Sequence, residues 1–178
     1  MYLEHFGFRE LPFSLTPDTE FFFGSAHHRD VLNVLRVALR SGEGFIVVSA
    51  EIGLGKTLLC RLLLRELDDE FTTAFIPDPQ LSPRALRIAL AEELGVNLRS
   101  SWTEEQVLRH VQRELMSQAR SGRKVLLLLD EAHQLPPQTL ESVRLLTNLE
   151  TEKSKLLQVV LFGQPELDRR LLHPTLRQ

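Results

Sequence analysis

Cysteine occurs once in the 178 residues, as Cys60, which excludes an internal disulfide framework and a cysteine-rich zinc site. Cys60 lies among leucines, the setting of a buried structural thiol. Positive charge is not in excess: 21 Lys and Arg stand against 24 Asp and Glu, for a formal net charge of −3. No global field therefore favours nucleic acid, although that total still allows a local basic patch. No apolar run approaches the ~20 residues that cross a bilayer. MYLEHFGFRELPF lacks a basic stretch leading into an apolar one, so it does not read as a secretory signal. A cytoplasmic location is the simplest expectation. Internal repeats and low-complexity segments are also missing. The composition, 43% hydrophobic and 25% charged, is that of an ordinary soluble globular domain.

What is present alternates. After an aromatic and proline-rich opening, Val31, Leu32, Val34, Leu35, Ala38 and Leu39 recur at helical spacing, and Gly42 and Gly44 end that helix. FIVVSA is a short run rich in β-branched residues, the pattern of a strand buried on both faces. KTLLCRLLLRELDDE reads as a helix starting at Lys56, and TTAFIP as a second strand. SPRALRIALAEELG has Ser82 as N-cap, Pro83 in the first turn and Gly95 as its stop. A second helix of this design runs from Thr103 to Gly122. KVLLLLDEA is a third strand, TLESVRLLTNLE a helix, LLQVVLFG a fourth strand and PELDRRLL a final helix. Such alternation predicts an α/β fold with a parallel sheet covered on both faces. RRLLHPTLRQ carries no helix-closing signal, which predicts that the chain continues.

Between the first strand and its helix stands AEIGLGKT. The pattern G-x-x-x-x-G-K-[ST] is satisfied at Gly55, Lys56 and Thr57, but its first glycine is replaced by Ala50. The nucleotide-binding stretch is Ala50, Glu51, Ile52, Gly53, Leu54, Gly55, Lys56, Thr57 and Leu58, in which the backbone N–H groups of Gly53 to Thr57 are placed to wrap a β-phosphate at a helix N-terminus. Gly55 permits close backbone approach. Lys56 would reach the β- and γ-phosphates, and the Thr57 hydroxyl would bind Mg²⁺. A methyl group at position 50 is tolerable if its φ is negative. The second half of the motif is LLLLDEAH. Asp130, at the C-terminal end of a buried strand, would hold Mg²⁺. Glu131 would polarise the attacking water. ATP and Mg²⁺ are thus the expected ligands, and hydrolysis the expected outcome.

AEIGLGKT with DEAH resembles the first two motifs of superfamily-2 helicases, but no further helicase motif is present; His133 reads as a residue that caps or packs at the strand exit. YLEHFGFRELPFSLTPDTEFFF, GEGFIVVSAEIGLGKT, LLLLDEAHQLPPQTLESVRLLTNLETEKSKLLQVVLFGQPEL and the closing LRQ together resemble the general secretion pathway protein A family. These are AAA+ ATPases related to the MSHA-pilus biogenesis ATPase. The resemblance implies a three-layer P-loop NTPase fold of AAA+ type with strand order 5-1-4-3-2. Residues 1–43 would form an adenine-side segment and first helix, and 44–178 the nucleotide-binding core.

The resemblance also implies residue roles. Gln164 would be the sensor that watches the γ-phosphate, the alternative being a turn residue before Pro165. Phe6, Pro12 and Phe13 would line an adenine pocket, or pack as an N-terminal arm. Leu58 stands where the family commonly has a second Thr. The arginine finger and the helical lid would follow LRQ, so the lid is expected to be absent; Arg177, or else Arg170, is the nearest finger candidate. The implied partners are further copies in a homo-oligomeric ring and proteins of a secretion system, with peptidoglycan reached only through regions outside this chain. DNA-binding transposition regulators share this kind of core, and a nucleotide-gated interaction module is a third reading.

Overall fold

Four short apolar runs pair in parallel as β1 (Phe45–Ser49), β2 (Phe71–Ile76), β3 (Lys124–Leu129) and β4 (Gln158–Gly163). The computed structural model describes residues 2–8, 19, 22–67, 70–151 and 154–172. Across the sheet the order is β1-β4-β3-β2. That reproduces strands 1 to 4 of the expected order. No fifth strand lies beside β1 among the described residues, so the expected five-stranded sheet is corrected to four. β1 is therefore an edge strand here. Its residues are half-buried or exposed, where its apolar run had suggested burial on both faces. β3 and β4, in the middle, are buried almost throughout.

Parallel neighbours need crossovers, and helices supply them. α3 (Lys56–Leu67) joins β1 to β2, α4 (Pro83–Glu93) and α5 (Glu104–Arg120) join β2 to β3, and α6 (Pro137–Leu146) leads towards β4. α2 (Ala26–Arg40) precedes β1 and α7 (Glu166–Leu171) follows β4; a five-residue α1 (Tyr2–Phe6), which the sequence pattern did not suggest, opens the described chain. The helix ends follow local chemistry. Ser25, Ser82 and Thr103 each accept a backbone N–H at their helix start. Thr103 completes a reciprocal capping box with Gln106.

Strand side chains alternate between two cores. Leu127, Leu129, Val159 and Leu161 join Leu86, Val107, Val111 and Leu140 beneath α4, α5 and α6. Leu126, Leu128, Val160 and Phe162 face Leu32, Leu35, Leu63 and Leu67 of α2 and α3 on the opposite side. Cys60 is in this second core, where burial, seconded by the Asp130 carboxylate, pushes its thiol pKa up. Gln158 is the polar tie between layers. Its buried amide donates to the carbonyls of Leu39 (3.0 Å) and Glu43 (2.7 Å), fastening the end of α2 to β4. With the sheet held from both sides, the C-terminal ends of β1, β4 and β3 form a rigid edge.

Candidate active site

Three segments leave that edge side by side. β1 runs into the loop of residues 50–55, β3 into Asp130 and Glu131, and β4 into Gln164. Because β4 lies between β1 and β3, Gln164 emerges between the loop and the acidic pair. Ala50 continues the ladder, its N–H donating to the Gly163 carbonyl at 3.1 Å. Its φ is not positive, since Glu131 is the sole non-glycine with positive φ among the described residues; the alanine methyl therefore carries no left-handed strain. The loop instead turns at Gly53 (φ +82°) and Gly55 (φ +78°), a region that only glycine enters freely. A Cβ on Gly55 would also stand 3.3 Å from His28 Nε2.

Lys56 begins α3 and is buried. Its ammonium lies across the loop, donating to the carbonyls of Ala50 (2.7 Å) and Glu51 (2.9 Å). Thr57 Oγ1 donates to Asp130 Oδ2 at 2.7 Å, joining residues 73 positions apart. The other Asp130 oxygen accepts the Glu131 N–H at 2.9 Å. Glu131 itself has φ +49°, a strained conformation for a side-chain-bearing residue, costing about 1–3 kcal/mol. Such strain persists where surrounding structure enforces it, and here it turns the carboxylate out of the strand. Lys56, Thr57, Glu131 and Gln164, with Ile52 and Gln134, line a cleft of about 590 Å³.

The donor set fits the expected ligands. Thr57 and Asp130 present hard oxygen atoms, as Mg²⁺ requires, and Mg²⁺ typically takes one or two carboxylates and completes its shell with phosphate and water. Among the described residues no cluster of three or more His, Cys, Asp or Glu could hold a metal ion. The first turn of α3 supplies N–H groups without helical partners, facing the cleft beside the Lys56 charge.

Other residues fall differently. Phe6 is 59% exposed, and its ring neighbours are Tyr2, His5 and Phe8 within its own segment. The structure thus gathers these aromatics on one another and does not bring Phe6 into the cleft. Pro12, Phe13 and Arg177 lie outside the described residues. Arg170 is half-buried and donates to the carbonyls of His133 and Leu135. Its guanidinium is occupied within its own chain, so acting on a neighbouring copy would require breaking both bonds. A larger cleft, about 680 Å³, opens near Arg40, Lys124 and Lys155. It contains none of the motif residues, and those cations bond to Glu70, the Arg40 carbonyl and Glu150 respectively.

Two histidines enter the site without having been singled out for it. His28 Nδ1 is 2.7 Å from Ser25 Oγ and its Nε2 3.3 Å from the Leu54 carbonyl, bracing the crest of the loop. His133, on the 3₁₀ turn Ala132–Gln134, lies 3.0 Å from Gln164 Nε2 and 3.4 Å from Glu131 Oε2. The sequence signal for His133 was its place in DEAH. For His28 no local pattern pointed to the loop, since the contact spans 26 positions.

A glycine-turned loop between strand and helix, its lysine lining the cleft and its threonine bonded to the first carboxylate of an acidic pair that ends β3, on the far side of β4, defines a P-loop nucleotide-binding domain. A family model described as an AAA domain matches residues 39–171, and the chain belongs to that family. Over all 178 residues the chain is 39% identical to General secretion pathway protein A of Aeromonas hydrophila, and it spans 32% of that protein's length. Among solved structures, Cdc6p of Pyrobaculum aerophilum superposes with a TM-score of 0.72 over 93% of this chain and 45% of that one, at 18% identity. The ORC1 protein of Aeropyrum pernix, solved in complex with DNA, gives 0.63 over 93% of this chain and 44% of that one, at 22% identity. At these identities the likeness is one of AAA+ fold.

Proposed function

We propose that this chain is the ATP-binding and hydrolysing core of a secretion- or pilus-assembly ATPase. The observation that carries the reading is the 2.7 Å bond between Thr57 and Asp130, with Glu131 beside it and Lys56 in the loop. In this reading Lys56 leaves its loop carbonyls for the β- and γ-phosphates, substituting one set of oxygens for another. Thr57 and Asp130 would hold Mg²⁺, which would supply charge neutralisation at the phosphates. Glu131 accepts a proton from the attacking water, and its carboxylate is the one acidic group in the cleft left over from metal binding. Gln164 offers an amide that both donates and accepts, so it can contact a phosphate oxygen and the water together. Phosphoryl transfer needs little more than such positioning and charge stabilisation.

The coupling of hydrolysis to envelope assembly rests on the 39% identity to General secretion pathway protein A. ATP-driven motion in a homo-oligomeric ring would help place an outer-membrane secretin, with secretion-system proteins as partners. Since the chain spans 32% of that relative, membrane and peptidoglycan contacts would belong to other regions. Among the described residues no helix is long and apolar enough to cross a membrane.

A paired experiment tests the enzyme reading. Lys56→Ala should weaken ATP binding at least ~tenfold by calorimetry, equivalent to ~1.4 kcal/mol. Glu131→Gln should bind Mg-ATP as the parent does yet release phosphate ~10²–10⁴-fold more slowly, the usual effect of losing a general base. Unchanged affinity in the first, or parent-like turnover in the second, would remove that residue from the mechanism.

A further inference from the structure

Among the described residues His133 is the one histidine that touches both the acidic pair and the end of β4. Its Nε2 is 3.0 Å from the amide nitrogen of Gln164. An amide nitrogen can only donate, so Nε2 accepts, and the neutral ring carries its proton on Nδ1. Nδ1 is buried and makes no hydrogen bond of regular geometry; Glu131 Oε2 approaches it at 3.4 Å. The Gln164 amide therefore donates to the imidazole, and the Nδ1 side of the ring faces the Glu131 carboxylate at 3.4 Å without an aligned hydrogen bond.

The backbone around His133 is held more tightly than a surface turn requires. Arg170 donates to the His133 and Leu135 carbonyls, clamping the middle of the 3₁₀ turn and the residue that follows it. Gly163 lies so close that a Cβ there would stand 3.3 Å from the His133 nitrogen. The ring is thus delivered to one place. Glu131 needs such a partner: its φ of +49° turns the carboxylate into the cleft, but backbone strain alone does not choose its rotamer.

We propose that His133 is a positioning residue for hydrolysis, bridging Gln164 and Glu131 so that the orientation of the base carboxylate depends on where the Gln164 amide is engaged. The inference rests on the ATPase reading above. When Gln164 turns its amide towards phosphate, the bond to Nε2 is released and the imidazole is free to reorient against Glu131. Occupancy at the sensor position is thereby passed to the base through a single ring.

The test is single-turnover phosphate release with the chain in excess over Mg-ATP, alongside nucleotide affinity and melting temperature. His133→Ala should slow release about 10–100-fold, the scale on which misplacing a reacting group costs rate, with affinity within about twofold of the parent. His133→Asn places an amide nitrogen near the former Nδ1 and should recover most of the rate. Release at the parent rate by His133→Ala would overturn the inference. So would a slow His133→Ala variant whose affinity and melting temperature fall in step, with His133→Asn no better, since that pattern marks a purely structural residue. A parent chain that binds ATP but releases no phosphate, with Glu131→Gln indistinguishable from it, would sink the ATPase reading itself and this inference with it.

Discussion

Ala50 shows how much the chemistry at one residue depends on its backbone. In the usual loop pattern glycine stands here, yet this alanine extends the ladder of β1 through its bond to Gly163 and avoids positive φ. The positions that require glycine are Gly53 and the pattern's own Gly55, where φ is left-handed. Ala50→Gly should therefore leave ATP affinity within about twofold of the parent. Melting should report only a small loss, ~0.4–1 kcal/mol, from the added freedom of the unfolded chain. A large gain in affinity on calorimetry would mean that the alanine strains the loop. Lys56, by contrast, has its geometry already set: two loop carbonyls hold its ammonium at the mouth of the cleft, so little side-chain freedom remains to be lost on meeting a phosphate.

At the scale of elements, the end of β4, the 3₁₀ turn and α7 pack closely beside the site. Gly163 is buried there, and a Cβ would meet Leu167 Cδ2 at 2.7 Å and the His133 nitrogen at 3.3 Å. Leu167 is itself fully buried, so it cannot swing aside into solvent. Gly163→Ala should destabilise the chain by about 1–3 kcal/mol, the usual cost of overpacking, and chemical denaturation would register it as a lower midpoint with an unchanged slope. Because the displaced group carries His133, phosphate release should fall as well. A variant as stable as the parent would show that α7 gives way easily and that its packing does not set the position of the turn. The Ser49 hydroxyl, which donates to Asp168 at 2.6 Å, is a second bond between α7 and the sheet edge.

For the molecule as a whole, the competing reading is an ATPase stimulated by nucleic acid. The solved structures that resemble this chain include one bound to DNA, but at 22% identity that resemblance is one of fold. The net charge of −3 provides no general attraction for a polyanion, and the cations around the larger cleft are already bonded within the chain. Phosphate release should accordingly be unchanged when duplex DNA is titrated in at low salt. Stimulation that fades as salt rises would favour the DNA-dependent alternative, because phosphate contacts release counterions and weaken steeply with ionic strength. An arginine acting across a ring, if supplied by Arg170, would have to come at the expense of the 3₁₀ turn it clamps.

Local chemistry determined the parts that depend on neighbours in the chain. Helix starts at Ser82 and Thr103 were legible because a capping side chain reaches only three residues ahead, and the strands because a buried parallel strand is apolar at every position. The phosphate loop was legible for the same reason: its glycines, lysine and threonine act within one turn of backbone. The half-burial of β1 was not, since an edge and a central strand differ only in what lies beside them. The placement of Gln164 between the loop and Asp130 was expected from the family resemblance alone, not from the local pattern; it follows from β4 entering the sheet between β1 and β3. Thr57 meets Asp130 across 73 positions, and Gln164 meets His133 across 31. Periodicity and spacing carry no information at such separations; pairing of strands and packing of two cores decide them. The sequence by itself determined that a glycine-turned loop with Lys56 and Thr57 and an acidic pair exist, whereas only the tertiary structure made them one site and set a histidine between Glu131 and Gln164.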